Sequence, residues 1–173
     1  SGYAANIFTG DLVRINAGYL QAITTVTEIA QGIFQGVRYT ENGEQKFGRY
    51  WPSGTSATDI YAMVNDDPST VFEVQADASV TAGDLYGSQN FGVTLGAGST
   101  FTGNSGHGIE AALRSSRISM VRALDPVMEP GNDVASATER AFLKLNVRII
   151  QHTDMFMDCA VTAPATVTDL IFT

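Results

Sequence analysis

Asn42-Gly43 lies between Val37-Arg38-Tyr39-Thr40-Glu41 and Glu44-Gln45-Lys46-Phe47-Gly48. Both central residues of a type I′ turn need positive φ, and Asn-Gly adopts it at little cost, so the dipeptide is a strong local signal for a β-hairpin. A two-residue loop sets Glu41 opposite Glu44, Tyr39 opposite Lys46 and Val37 opposite Gly48. Facing glutamates are mildly unfavourable, and a four-residue loop relieves them, so both registers stay open. The only tryptophan of the chain follows in Tyr50-Trp51-Pro52. The stretch is therefore either a stacking surface or scaffold.

Other segments repeat the period-two pattern of half-buried strands. Leu12–Asn16 and Tyr19–Ile23 flank Ala17-Gly18 as a second hairpin. A β-branched run, Thr24 to Ile29, leads into Gly32–Tyr39. Strands are expected at Ile60–Val64, Val71–Ala76 and Arg117–Leu124. The most regular runs from Leu143 to Ile149, with Leu143, Leu145, Val147 and Ile149 on one face and Lys144, Asn146 and Arg148 on the other. Ala135–Phe142 is the best helix candidate, capped by Ser136 or Thr138 with Glu139 in its first turn. Residues 77–116 read as long loops with short pairings, loosest at Gly103-Asn104-Ser105-Gly106-His107-Gly108. The fold class is all-β: an antiparallel barrel or sandwich with long loops and at most one short helix. Thr9-Gly10-Asp11-Leu12 is echoed by Ala82-Gly83-Asp84-Leu85, but the sequences then diverge, and Gly-Asp before a strand is ordinary turn chemistry. The expected division is an N-terminal arm (1–9), a β-rich domain (10–152) and a C-terminal extension (153–173).

A chain of 173 residues suits one domain, and one of this size buries roughly 70% of its unfolded surface without a disulfide. Its single cysteine, Cys159, has apolar neighbours and no adjacent base to stabilise a thiolate. The net charge of −8 argues against nucleic acid and against a polybasic membrane contact. No apolar run reaches the ~20 residues that span a bilayer. Ser1-Gly2-Tyr3 lacks the basic start and apolar core of a secretory signal, and no Asn-x-Ser/Thr sequon occurs, so secretion is not expected.

Chemistry-bearing residues are sparse. Of the two histidines, His107 sits among glycines, and His152 follows the regular strand, where a hydrogen bond to a carboxylate such as Asp154 is the expectation. Neither accompanies a nucleophile motif. Asn65-Asp66-Asp67-Pro68 lacks the alternating ligands and distal glutamate of a calcium loop and reads as a β-turn. Gly92–Gly98 lacks the lysine and helix start of a phosphate loop. Alternation splits Tyr39, Phe47, Tyr50 and Trp51 between two faces, which favours scaffold over a flat stacking platform. No catalytic residue, metal site or cofactor is expected.

Several pieces, in order, resemble a family of small tailed-bacteriophage proteins that decorate or cement the outer capsid shell. They are Gly10-Asp11-Leu12-Val13, Ile33-Phe34-Gln35-Gly36-Val37, Tyr50-Trp51-Pro52-Ser53-Gly54, Asp66-Asp67-Pro68 before Phe72–Ala76, Gly96–Thr100 with Gly103–Gly106, and Leu143–Val147. The resemblance covers roughly residues 10–152, and the tail from Asp154 to Thr173 departs from the shorter members. It implies a β-rich, non-enzymatic protein on the capsid surface of the virion, a homotrimer bridging subunits of the major capsid protein. Candidate protein-contact residues are Tyr3, Ile7, Phe8, Tyr50 and Trp51, with Leu170, Ile171 and Phe172 at the end of the chain. Each terminus either adds an edge strand to its own sheet or docks on a neighbour by strand addition. Two other readings remain: a head or tail fibre component, whose stalk should show repeats, and a carbohydrate-binding module, which should expose Tyr50 and Trp51 in a groove.

Overall fold

The structure is a computed structural model and describes residues 3–87, 90–112, 119–136 and 142–154. In chain order its elements are β1 (Ile7–Phe8), β2 (Leu12–Asn16), β3 (Tyr19–Ala22), β4 (Gly32–Glu41), β5 (Glu44–Gly48), β6 (Tyr50–Trp51), β7 (Thr58–Asn65) and β8 (Phe72–Gln75). Then come α1 (Ala82–Gly87), β9 (Asn90–Thr94), β10 (Gly108–Glu110), β11 (Val121–Pro126) and β12 (Lys144–Ile149). The chain is all-β, with antiparallel sheets and one short helix among the described residues.

The Asn-Gly hairpin closes with the two-residue loop. Asn42 and Gly43 have φ of 52° and 80°, and the register sets Glu41 opposite Glu44 and Tyr39 opposite Lys46. Lys46 Nζ lies 2.5 Å from Glu41 Oε2, which offsets the repulsion between the facing glutamates. Ala17 and Gly18, with φ of 51° and 81°, close β2 onto β3 in the same way. The first sheet runs β3-β2-β4-β5, and β7 pairs with β4. Residues 37, 38 and 40 pair with both β5 and β7, so β7 lies on the opposite side of β4.

The second sheet, β10-β9-β11-β12-β8, curls into a half-barrel. Its ends meet at a parallel bridge between Ala76 and Ile109. There Asp77 N–H donates to the Ile109 carbonyl (2.9 Å) and Asp77 Oδ1 accepts Ala111 N–H (2.9 Å). β12 alternates as its sequence requires: Leu145, Val147 and Ile149 are buried, as is Leu143 just before it.

Neighbouring residues of the first sheet feed two separate cores. Leu12 and Ile33 face the large core inside the half-barrel, whereas Val13 and Phe34 face a second core with Ile7, Val37, Tyr39 and Trp51. The two-stranded ribbon of β1 and β6 covers that second core. The sheet therefore lies between two apolar layers, and a one-residue slip of β2 or β4 would exchange their contents.

Two sequence expectations are revised, the position of the short helix and the N-terminal arm. The β-branched run Thr24 to Ile29 is a turn before β4, in which Glu28 accepts Thr24 N–H (2.8 Å) and pairs with Arg14 (3.0 Å). The short helix is α1, inside the expected loop region. Thr81 N–H donates to Asp84 Oδ2 (2.9 Å) and Asp84 N–H to Thr81 Oγ1 (3.3 Å), a reciprocal cap. The echoed tetrapeptide is thus helical in one copy and a strand entry in the other. Of the helix expected over 135–142, residues 137–141 lie outside the described residues. Finally, the expected arm is built into the domain from Ile7, because Ile7 and Phe8 pair with Trp51 and Tyr50. At the other end Thr153 N–H donates to the Ala30 carbonyl (2.9 Å), and residues 155–173 lie outside the described residues.

Asn132 is the buried polar tie of the half-barrel. Its Nδ2 donates to the carbonyls of Val127 (2.8 Å) and Lys144 (2.9 Å), and its Oδ1 accepts Lys144 N–H (2.8 Å). A carboxylate at this position cannot donate to those carbonyls. Asn132→Asp is expected to lower stability by about 2–4 kcal/mol in urea unfolding, since stranded buried acceptors cost about 1–3 kcal/mol each. A change below about 0.5 kcal/mol would show that Asn132 is not a structural tie.

Candidate protein-contact site

Residues 8–12 form a turn whose polar groups reach in four directions. Phe8 N–H donates to Asp11 Oδ2 (2.8 Å) and Gly10 N–H to the Phe34 carbonyl (2.8 Å). Thr9 N–H is shared between the carbonyls of Arg49 and Gly103, each at 3.0 Å, and the Thr9 carbonyl accepts Ser105 N–H (2.8 Å). Leu12 N–H donates to His107 Nδ1 (3.3 Å). The turn therefore fastens the loop of residues 95–107 to the first sheet.

That loop, expected to be the loosest part of the chain, is closely fitted. Gly96 and Gly106 cross with no room for a side chain, since a Cβ on Gly96 would stand 2.1 Å from the Gly106 carbonyl oxygen. A Cβ on Gly98 would stand 2.2 Å from the Phe8 ring, which stacks on Tyr50 with centroids 5.4 Å apart. The glycines are required by close approach, not by flexibility. At the tip, Gly103 N–H donates to the Ser99 carbonyl (2.7 Å), Ser99 N–H to the Asn104 carbonyl (2.9 Å), and Arg49 Nη2 to Asn104 Oδ1 (2.8 Å). This tightly bonded turn presents Phe101, 98% exposed. Residues 85–109 contain no Asp, Glu, Lys or Arg, in a chain with 18 acidic and 10 basic residues. An exposed aromatic on a bonded backbone has the properties of a binding anchor, because the loop loses little entropy on contact; the one charge at its tip is the Arg49 guanidinium on Asn104.

The polar groups below the loop are engaged in structure. His107 Nδ1 accepts from Leu12, so the proton of the neutral ring sits on Nε2, which faces Asp11 Oδ1 at 3.5 Å. Burial holds the His107 pKa below its ordinary 6.5, against the upward pull of Asp11. His107 also walls a cavity of ≈ 60 Å³ lined by Leu12, Ile33, Val74, Val93, Ile109 and Val147. That lining carries no further polar side chain to orient a substrate. His152 is fully buried and accepts the backbone N–H of Asp154 at Nδ1 (3.1 Å), rather than bonding its carboxylate. Asn65 and Asp67 side chains accept the N–H groups of Asp67 and Ser69, which is turn chemistry. Asp66 and Asp67 do not join either histidine, and among the described residues no cluster of three or more His, Cys, Asp or Glu is arranged to hold a metal.

The expected contact residues fall into three groups. Ile7, Phe8 and Trp51 are buried within the chain, so they are not a free contact surface. Trp51 meets Tyr39 edge-on at 5.3 Å, which removes the exposed groove expected of a carbohydrate-binding module. Tyr3 and Tyr50 are partly exposed, and Tyr50 flanks the loop. Leu170, Ile171 and Phe172 lie outside the described residues. Phe101 escaped the sequence reading; its available signal was the uncharged run around it. Comparison with known protein families, curated proteins and solved structures gives no match.

Two outcomes test this construction. Gly98→Ala is expected to destabilise the chain by about 1–3 kcal/mol, the usual effect of overpacking, and Phe8→Leu in the same chain should recover part of it. Additive losses in chemical denaturation would show that residues 8 and 98 do not press on each other. For His107, the folded pKa lies below the unfolded one, so the unfolded chain binds more protons between the two values. Stability is therefore full above about 6.5 and declines as pH falls from there toward the folded value. His107→Gln should flatten the urea midpoint between about pH 7 and pH 5 relative to the parent.

Proposed function

We propose that this chain is a structural virion protein that decorates and stabilises the outer surface of a tailed-phage capsid by bridging major capsid protein subunits. The ordered set of sequence pieces that resemble the decoration family is the starting point. The observation that carries the reading is Phe101, almost wholly exposed on a bonded, charge-free loop. A protein that grips a shell needs anchors fixed before contact, because ordering a loop on binding takes from the affinity. The negative charge on the rest of the chain keeps crowded copies soluble. The resemblance implies three copies around a three-fold axis; the reading itself requires that one molecule hold at least two shell subunits.

Co-sedimentation with empty shells assembled from the major capsid protein of the same genome tests it. The parent chain should bind, and Phe101→Ala should weaken binding by about 30-fold, a loss of about 2 kcal/mol typical of an aromatic hot spot. The variant should unfold at the parent's denaturant midpoint, since the ring touches little of its own chain. Failure of the parent to bind shells, or equal binding by both, would sink the reading.

A further inference from the structure

Asp11 and His107 meet at the wall of an open cleft of ≈ 320 Å³. The cleft lies between Asn6 and Phe8 at the ribbon, Ile23 just after β3, and residues 95–98 of the glycine-rich loop. Its volume falls in the range of small-molecule sites, about 300–1,000 Å³. Asp11 is the one Asp, Glu, Lys or Arg among the residues that line it.

The two oxygens of that carboxylate are differently placed. Oδ2 accepts Phe8 N–H at 2.8 Å. Oδ1 has His107 Nε2 at 3.5 Å, beyond the about 2.7–2.9 Å of a charge-assisted hydrogen bond. His107 does not cancel the charge, because burial holds its pKa below 6.5 and leaves the ring uncharged at neutral pH. Among the described residues, Asp11 therefore has one close donor for its charge and no lysine or arginine beside it. The residue is only 4% exposed, and a buried charge calls for a counter-ion.

We infer that the cleft binds a primary alkylammonium group, free or on a lysine side chain, with its nitrogen at Asp11 Oδ1 and its stem against Phe8, Ile23 and Leu95. The geometry selects the cation. A guanidinium pairs best with both oxygens of a carboxylate, and here the Phe8 amide holds Oδ2. Calcium and magnesium want several oxygen ligands, and the cleft offers Asp11 as its one carboxylate. A compact ammonium needs one strong acceptor, and its stem gains apolar cover from the walls. The net charge of −8 raises the local concentration of cations around the chain. The site does not rest on the capsid reading, and its test contains no shell.

Titration of the full chain with n-butylammonium chloride at neutral pH, followed by amide NMR, tests it. Shifts should converge on Phe8, Leu12 and residues 95–98 and saturate. The alcohol n-butanol has the same stem without the charge and should bind at least about tenfold more weakly, since a hydrogen bond to a charged group is worth that much. Asp11→Asn keeps an oxygen for the Phe8 amide, removes the charge, and should lower butylammonium affinity by a similar factor. The n-butanol comparison uses the parent chain alone, so it decides the matter even where the variant fails to fold. Nα-acetyllysine methylamide separates the two sources: a site for a partner's lysine admits it, and a site for a free amine excludes it. Shifts scattered over exposed carboxylates such as Asp66 and Asp125, equal binding of n-butanol, or a folded Asp11→Asn that binds butylammonium like the parent would each overturn the proposal.

Discussion

The carboxylate of Asp11 holds the architecture together. It is buried, accepts the Phe8 amide on one oxygen and faces His107 on the other. Buried charge is tolerated only where hydrogen bonds replace water. Here the bond comes from the ribbon, while the His107 ring at the end of the glycine-rich loop lies 3.5 Å from the other oxygen. The backbone of Asp11 accepts Phe34 N–H (2.9 Å) at the same point. One residue thus joins β4, the ribbon and the loop that carries Phe101. Without this junction the first sheet would keep its hairpins but lose the position of the loop.

Local chemistry was legible in the sequence. Asn42-Gly43 and Ala17-Gly18 announce their turns because the required backbone angles belong to the residues themselves. Leu143 to Ile149 announces its strand because one face is buried and the other is not. The four residues 81–84 also carried a readable cap, Thr-x-x-Asp, yet Gly83 and Gly87 drew the reading toward loop. The loop of residues 95–107 was illegible for a different reason. Gly98 and Gly103 answer to partners distant in sequence, Phe8 and Arg49, while Gly96 and Gly106 answer to each other across the loop. A glycine needed for contact and a glycine needed for freedom look identical until the partner is placed.

The same limit explains the contact residues. Hydropathy marked Ile7, Phe8 and Trp51 as apolar residues in search of cover, and the fold supplies that cover internally. Apolar character alone does not separate core from interface; only the unfilled neighbourhood does. Among the described residues Phe101 is almost wholly exposed, and β7 has β4 as its one strand partner. These are two different kinds of surplus. The first offers a side chain and suits a pocket on another protein, whereas the second offers backbone hydrogen-bonding groups interrupted by a bulge at Asp59, where φ is 48°.

Charge distribution sets both surpluses apart from much of the chain. Neither residues 60–64 nor residues 85–109 contain an ionisable Asp, Glu, Lys or Arg, so the acidity of the chain is concentrated elsewhere. Long-range repulsion between acidic molecules slows random encounter, and short uncharged windows leave a few orientations in which contact carries no charge-desolvation penalty. An aromatic fixed on a bonded turn and the middle of β7 lie in two such windows. Any partner of a chain of this composition would be selected less by attraction at such windows than by the unfavourable electrostatics of other approaches.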